Sequence, residues 1–315
     1  AFDVHERKEA HWSWRPVVNA APPVVKDRGW PRSPLDQFVL SKLDKAGIEP
    51  NPDASRRTLI KRTSYALTGL PPSVDDVEQF VADKSPEAFS ALVDNLLKSP
   101  HFGEHWAQYW LDLVRFAETK GHEADYPIPE AWRYRDYVIR GFNSDVPYDQ
   151  WIIEHLAGDL VRSPRIDPEL RTNESIQGTG FWHLGEATHS PVDIRGEEAE
   201  RIHNQIDVFS KTFLGLSLGC ARCHAHKFDA ISQEDYYAMY GYIQSSGFQL
   251  ADVLEPARKK EAAEALLGLR ETEARKISDS FARGKRTQFE RLPEYLAAAA
   301  DVLKLGPLAG APAGD

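Results

Sequence analysis

The chain has 315 residues and a mass of 35.5 kDa, which is long enough to bury a core in one domain or two. Its net charge of -10 argues against nucleic acid or an anionic membrane surface as the main partner, because both attract basic patches. No apolar run approaches the roughly 20 residues of a membrane span, so we expect a protein that is not integral to a membrane.

The chain begins with residues that carry prolines and tryptophans but no helical period. This composition predicts an irregular N-terminal arm over residues 1–30. Ser33, Pro34 and Asp36 then give a helix-start signal, and Gly47 marks the end of that helix. The apolar stripe expected to face the core comprises Leu35, Phe38, Val39 and Leu43.

Helical patterns dominate the next 200 residues. The stretch "EHWAQYWLDLVRF" places Trp106, Trp110, Leu113 and Phe116 on one face. Residues 162–196 are rich in Gly, Pro and Ser, which predicts long surface loops. The segments "AWRYRDYVIRGFN", "YDQWIIEHLAGDL", "IHNQIDVFSKTFLGLSL" and "QEDYYAMYGYIQSS" each have helical spacing.

The composition changes at about residue 250. A charge-dense stretch over residues 251–305 predicts a helical extension, either one helix or a helical hairpin, and residues 306–315 predict a flexible tail. No alternating period-2 pattern persists, so we expect a mainly α fold. The predicted architecture is an irregular multi-helix bundle with long loops over residues 31–250.

Both cysteines lie in "GCARCHAHKFD", residues 219–229. The order Cys220, two residues, Cys223 and His224 is the c-type haem attachment pattern. Two residues between the cysteines put both sulfurs on one helical turn, where each can form a thioether with a haem vinyl group. The imidazole of His224 can then bind the iron. The pattern predicts one covalent haem c in the helical domain.

Two other chemistries stay open for the cysteine pair. A zinc site needs four ligands, so His226 and a distant histidine would have to join the two thiols. A redox-active pair or a structural disulfide would leave His224 incidental.

Further residues are candidates for the surroundings of the iron. His122, His189, His203 and Met239 are the candidate sixth ligands, and an open sixth position would favour catalysis over electron transfer. His226 is expected to bond a haem propionate or the backbone.

The polar stretch "GHEADYPIPEAWRYRDY", residues 121–137, supplies another group of candidate residues. Arg133 and Arg135 are predicted to pair with propionates, because a guanidinium fork suits carboxylates. His122 with Glu123 or Asp125 is the candidate proton source near the iron. The alternative is a salt-bridge network on a solvated face.

Five stretches between residues 11 and 245 resemble a known family: "HWSWRPV", "WPRSPLDQFVLSKLDKAGIEPNPDASRRTLIKRTSYALTGLPPS", "SPHFGEHWAQYWLDLVRFAET", "AWRYRDYVIRGFNSDVPYDQWIIEHLAGDL" and "SKTFLGLSLGCARCHAHKFDAISQEDYYAMYGY". The family is the cytochrome-associated region of unknown function in large exported proteins of planctomycetes. The resemblance implies an exported, haem-bearing module that is often fused to further domains. It implies no reaction, and only a circumstantial link to complex polysaccharides.

We therefore expect a periplasmic or otherwise exported c-type cytochrome module, since the attachment machinery for such haems works outside the cytoplasm. Its partner would be a redox protein or a fused domain. One alternative is a haem-dependent oxidoreductase acting on a carbohydrate-derived substrate. Another is a haem-free module that binds a polysaccharide or oligosaccharide and carries a Cys220–Cys223 disulfide.

Overall fold

The computed structural model describes residues 3–122 and 124–304. Within those ranges the regular secondary structure is helical, accompanied by isolated β-bridges, which confirms the mainly α class. Two predictions, the candidate Glu123 and the flexible tail over residues 306–315, lie outside the described residues. No helix in the described ranges combines the length and apolarity that a membrane crossing needs.

The helices follow one another along the chain with both short and long connections. They are α1 (Val4–Ala10), α2 (Pro34–Ala46), α3 (Arg56–Thr68), α4 (Val74–Ala82), α5 (Ala88–Leu97), α6 (Pro100–Leu113), α7 (Ala131–Asn143), α8 (Tyr148–Ala157), α9 (Glu174–Gly178), α10 (Ile194–Phe209), α11 (Gln233–Gln244), α12 (Pro256–Glu290) and α13 (Leu292–Lys304). Short 3₁₀ turns lie at Trp12–Trp14, Gly158–Leu160, Thr179–His183 and Leu218–Arg222, and a π turn lies at Ser210–Leu214.

Local capping explains where helices begin and end. At α2 the Ser33 hydroxyl accepts from the Asp36 backbone N–H while the Asp36 carboxylate accepts from the Ser33 N–H. Gly47 ends the same helix in the left-handed conformation, with φ of 69°, as its position predicted. The arm over residues 1–30 is not irregular throughout, because the Asp3 carboxylate caps α1 by accepting from two backbone N–H groups.

Internal contacts divide the chain into two units. The first comprises Ala1–Asp167 and Asn173–Val253, and the second comprises Pro168–Thr172 and Leu254–Asp315. The charged extension of the second unit contains α12 and α13, in agreement with the predicted helix or hairpin. The predicted domain boundaries themselves stay predictions.

Three apolar clusters form the core of the first unit. One lies among α3, α4 and α5, and the largest lies among α6, α7, α8 and the turn at Thr179–His183. The third joins α10, the turn at Leu218–Arg222 and α11, so it supports the cysteine motif directly. Its fully buried members include Ile202, Ile206 and Ala221.

The prediction of surface loops over residues 162–196 was wrong for the middle of that stretch, whereas residues 162–171 and 185–193 are non-helical and none of them is buried. Glu174 and Ser175 of α9 are completely buried, and Phe181 is 1% exposed. A charged network draws this stretch inward: the Arg140 guanidinium donates to both Glu174 carboxylate oxygens, at 3.0 and 2.9 Å. Because buried carboxylates need such partners, a polar composition here does not indicate a surface position.

Candidate functional site

The cysteine motif lies where α10 gives way to a series of tight turns. The helix runs into the π turn Ser210–Leu214, and Gly215 ends that turn in the left-handed conformation, with φ of 64°. The 3₁₀ turn Leu218–Arg222 follows at once. Single π turns within helices are frequent at functional sites.

The 3₁₀ turn determines which side chains face solvent. Ala221 is fully buried against the core cluster, whereas Cys220 and Cys223 on either side of it are free thiols and exposed. Side chains at positions i and i+3 eclipse in 3₁₀ geometry, and Cys223 directly follows the last residue of the turn. Cys220 thus lies in the 3₁₀ turn and Cys223 directly after it, where the sequence predicted a single helical turn for both thiols.

The side chain of His224 is exposed, and one of its ring nitrogens makes a hydrogen bond within the protein. Its Nδ1 lies 2.8 Å from the Ala225 carbonyl oxygen, which can only accept, so Nδ1 carries the proton. In the neutral ring this leaves a lone pair on Nε2, which has no hydrogen-bond partner among the described residues. Metal-binding histidines usually have this arrangement, in which the other ring N–H donates to a carbonyl or carboxylate.

His226 has a different role from its neighbour. It is 5% exposed, and its Nδ1 accepts from the backbone N–H groups of Asp229 (2.7 Å) and Phe228 (3.2 Å). Its Nε2 lies 3.1 Å from the Ser217 hydroxyl. Both nitrogens are thus used to close the loop that follows the motif. This matches the predicted bond to backbone and leaves neither nitrogen for a metal.

The N-terminal helix also reaches this loop. The Arg7 guanidinium of α1 donates to the carbonyl oxygens of His226, at 3.2 Å, and Lys227, at 2.5 Å. Trp14 packs against the core cluster beneath the motif. The arm therefore helps to position the loop, a contact that sequence spacing could not indicate.

The motif opens into a cleft of about 730 Å³. That volume falls within the range of roughly 300–1,000 Å³ that is typical of sites for small molecules and cofactors. The lining residues are His203, Gly219, Cys220, Arg222, Cys223, His224, His226, Lys227 and Phe228.

Two cations on the cleft wall were missed as site residues, although both lie in the quoted motif. The Arg222 guanidinium donates to both carboxylate oxygens of Glu200, at 3.0 and 2.7 Å, and this lowers the pKa of the Glu200 carboxyl. The Lys227 ammonium lies 5.2 Å from the centre of the Phe228 ring. A group bound in the cleft would therefore meet positive charge at its rim.

Of the four candidate sixth ligands, only His203 lines the cleft. His122 Nε2 lies 3.5 Å from a Glu186 carboxylate oxygen, and His189 is hydrogen-bonded to the Tyr126 hydroxyl. Met239 packs against the core cluster of α10 and α11, as expected of an apolar helix position.

The polar group before α7 does not join the cleft lining either. Arg133 pairs with Glu130 and lies over the Trp132 ring, and Arg135 pairs with Glu118 and Asp136. The Asp125 carboxylate accepts from the Gly121 backbone N–H. For the two arginines these contacts agree with the salt-bridge alternative.

A comparison with protein families matches residues 34–247 to PSCyt2, described as a protein of unknown function (DUF1549). The chain belongs to this family. The match includes every residue that lines the DUF1549 cleft, and it ends before the charged helical extension. Comparisons with curated proteins and with solved structures gave no match.

The DUF1549 cleft fits the chemistry of a c-type haem site. Two free thiols and a histidine with an available nitrogen line one opening. Glycine suits position 219 because the chain packs closely there: a Cβ would lie 2.9 Å from Asp207 Oδ1. Among the described residues no three His, Cys, Asp or Glu side chains are grouped to hold a metal ion. A haem iron would not need such a group, because a single protein side chain can hold it in the porphyrin.

Proposed function

We propose that this DUF1549 chain is an exported electron-transfer module that carries one haem c in the cleft, bonded to Cys220 and Cys223 and ligated by His224. One observation carries the proposal: both thiols and the unpartnered Nε2 of His224 line the same open cleft. When bound there, the haem would supply reversible one-electron chemistry.

The attachment uses only atoms that the thiols and the vinyl groups provide. Each sulfur would bond to the vinyl carbon next to the porphyrin ring, and the thiol hydrogen would go to the terminal carbon. Nothing leaves and no oxidant is consumed, so the product mass is the sum of chain and haem. The 3₁₀ turn supports this chemistry because it exposes both thiols beside a buried, immobile Ala221.

The remaining cleft residues would orient His224 and contact the haem. Hydrogen bonding from Nδ1–H to the Ala225 carbonyl fixes the His224 tautomer. Arg222 and Lys227 line the cleft, whereas Arg133 and Arg135 do not; Arg222 is already paired with Glu200, so Lys227 is the cation that would be available to an acidic substituent.

Electron transfer is favoured over catalysis by the placement of the acid–base candidates. Of the candidates that lie within the described residues, neither His122 nor Asp125 lines the cleft. A redox protein or a fused domain is the expected partner. Export is proposed because covalent haem attachment takes place outside the cytoplasm.

An absorption spectrum tests the proposal. Protein exported from a bacterial host that carries the haem-attachment machinery should show a Soret band, with sharpened visible bands after reduction, that survives denaturation and extraction with acidified organic solvent. Material from the same host without that machinery is the matched control and should lack the extraction-resistant band. Featureless visible spectra for both preparations would contradict the proposal.

A further inference from the structure

The cleft contains a second histidine whose surroundings resemble those of His224. His203 lies on α10, next to Ile202, which is fully buried in the core cluster formed by α10, α11 and the turn at Leu218–Arg222. Its Nδ1 is 3.0 Å from the hydroxyl oxygen of Tyr236 on α11. Its Nε2 has no hydrogen-bond partner among the described residues. Two imidazoles, each held through Nδ1 alone, therefore line one cleft.

The partner of His203 is rigid and uncharged. Tyr236 is 1% exposed and belongs to the same core cluster, so its hydroxyl has a fixed position. Burial raises the pKa of Tyr236 to about 12, although the Arg222 charge opposes this, and the hydroxyl therefore stays protonated at neutral pH. A phenol hydroxyl can donate or accept, and the tautomer of His203 with its lone pair on Nε2 is the one in which Nδ1–H donates to the Tyr236 oxygen.

The backbone brings His203 close to the thiols. A Cβ on Gly219 would lie 3.2 Å from Cε1 of His203, so the peptide that leads into Cys220 packs directly against this ring. A group tethered through Cys220 would therefore be bound beside His203. The other three candidate ligands are engaged elsewhere, with Glu186, Tyr126 and the core cluster.

We propose that His203, oriented by Tyr236, would be the second protein ligand, besides His224, of an iron bound in the cleft. This inference rests on the proposed haem site and extends it. Two imidazole ligands complete the coordination of the iron, which favours electron transfer over ligand binding or catalysis at the metal. The role of Tyr236 is that of a positioning residue.

The test is the spin state of the oxidised haem protein, read by electron paramagnetic resonance and visible absorption. The wild-type protein should be low-spin, and His203→Ala should become high-spin while the covalent haem content is unchanged. Added imidazole should restore the low-spin spectrum of His203→Ala. The matched control is Met239→Leu, which should keep the low-spin spectrum.

Positioning by Tyr236 has a separate readout. Tyr236→Phe should keep the low-spin spectrum but raise the midpoint potential, because loss of the hydrogen bond to Nδ1 makes the His203 ring a weaker base.

The outcomes separate the two proposals. A wild-type protein with covalent haem that is high-spin would overturn the role of His203 and leave the haem site intact. A low-spin His203→Ala protein without added imidazole would do the same. A wild-type chain with no covalent haem would overturn both.

Discussion

Replacing Glu154 by glutamine is expected to lower the free energy of unfolding of the first unit by about 3–5 kcal/mol. The Glu154 carboxylate is fully buried and accepts from the Arg165 guanidinium at 3.1 and 2.9 Å, and from the Tyr137 hydroxyl at 2.8 Å. Burial by itself raises the pKa of Glu154, but the hydrogen bonds from Arg165 and Tyr137 outweigh it and hold the pKa below the ordinary value. Glutamine would remove the nearer of the two carboxylates beside the Arg165 charge and leave only Glu174, whose Oε2 lies 3.8 Å away.

Tryptophan fluorescence during urea unfolding is the measurement. All eight tryptophans belong to the first unit, so the signal reports on that unit alone. The matched control is Glu118→Gln, whose carboxylate is 61% exposed in its pair with Arg135, and whose loss is expected to cost less than about 1 kcal/mol. Equal losses in the free energy of unfolding for the two variants would show that the buried ion pair stabilises the protein no more than the exposed pair does.

Lowering the pH from 7 to 4 is expected to cost the first unit about 3 kcal/mol through His155 alone. Burial lowers the pKa of His155 from 6.5 to about 4. The unfolded chain therefore takes up this proton near pH 6.5, whereas the folded chain resists it. The contribution to stability is complete above pH 6.5 and is lost as the pH falls through 4.

The hydrogen bonds around His155 explain why its neutral form is favoured. The Trp110 indole N–H donates to the Tyr134 hydroxyl at 3.0 Å, and that hydroxyl can donate to His155 Nε2 at 2.9 Å. His155 Nδ1–H then donates to the Trp151 carbonyl at 2.8 Å. Every group is satisfied by a neutral imidazole, and a proton on Nε2 would displace the Tyr134 donor.

The measurement is the free energy of unfolding at several pH values between 4 and 7, for the wild type and for His155→Gln. An amide offers a donor and an acceptor but does not titrate in this range, so the variant should lose about 3 kcal/mol less than the wild type on acidification. The loss expected from Glu154 falls below its ordinary pKa of 4.5, in a lower window. Parallel pH profiles for the two proteins would contradict the assignment to His155.

Helix starts and stops could be predicted where the signals are local. The capping boxes at Ser33 and Ser73, and the left-handed Gly47, depend on neighbours within four residues, and the structure has all three. The turn of the cysteine motif has the same local character. Such features need no knowledge of the rest of the fold.

The buried faces of the helices were harder to predict, because small residues define them. On α6 the face against α7 includes Gly103, Ala107 and Trp110, whereas the predicted Trp106 and Leu113 are 37% and 53% exposed. A Cβ on Gly103 would lie 2.5 Å from the Ile139 carbonyl oxygen, so close helix approach excludes larger side chains there. On α2 the buried residue is Leu40, and the predicted Leu35 is 71% exposed.

The composition of the cleft could be predicted only in part. Cys220, Cys223 and His224 follow from spacing, but the position of His203 depends on how α10 packs against the motif. It was one of four candidates in the sequence, and only the tertiary structure distinguishes it from His122, His189 and Met239. Arg133 and Arg135 were chosen for their chemistry and lie in ion pairs elsewhere.

The intact mass of the denatured, exported chain tests the central claim most directly. Protein matured with the haem-attachment machinery should exceed the mass of the bare chain by one complete haem, with no atoms lost, because both thiols add across vinyl groups. The variant with Cys220→Ser and Cys223→Ser should have the bare mass under the same conditions. A wild-type chain at the bare mass, or at two hydrogens less as a disulfide would give, would contradict covalent haem in this cleft.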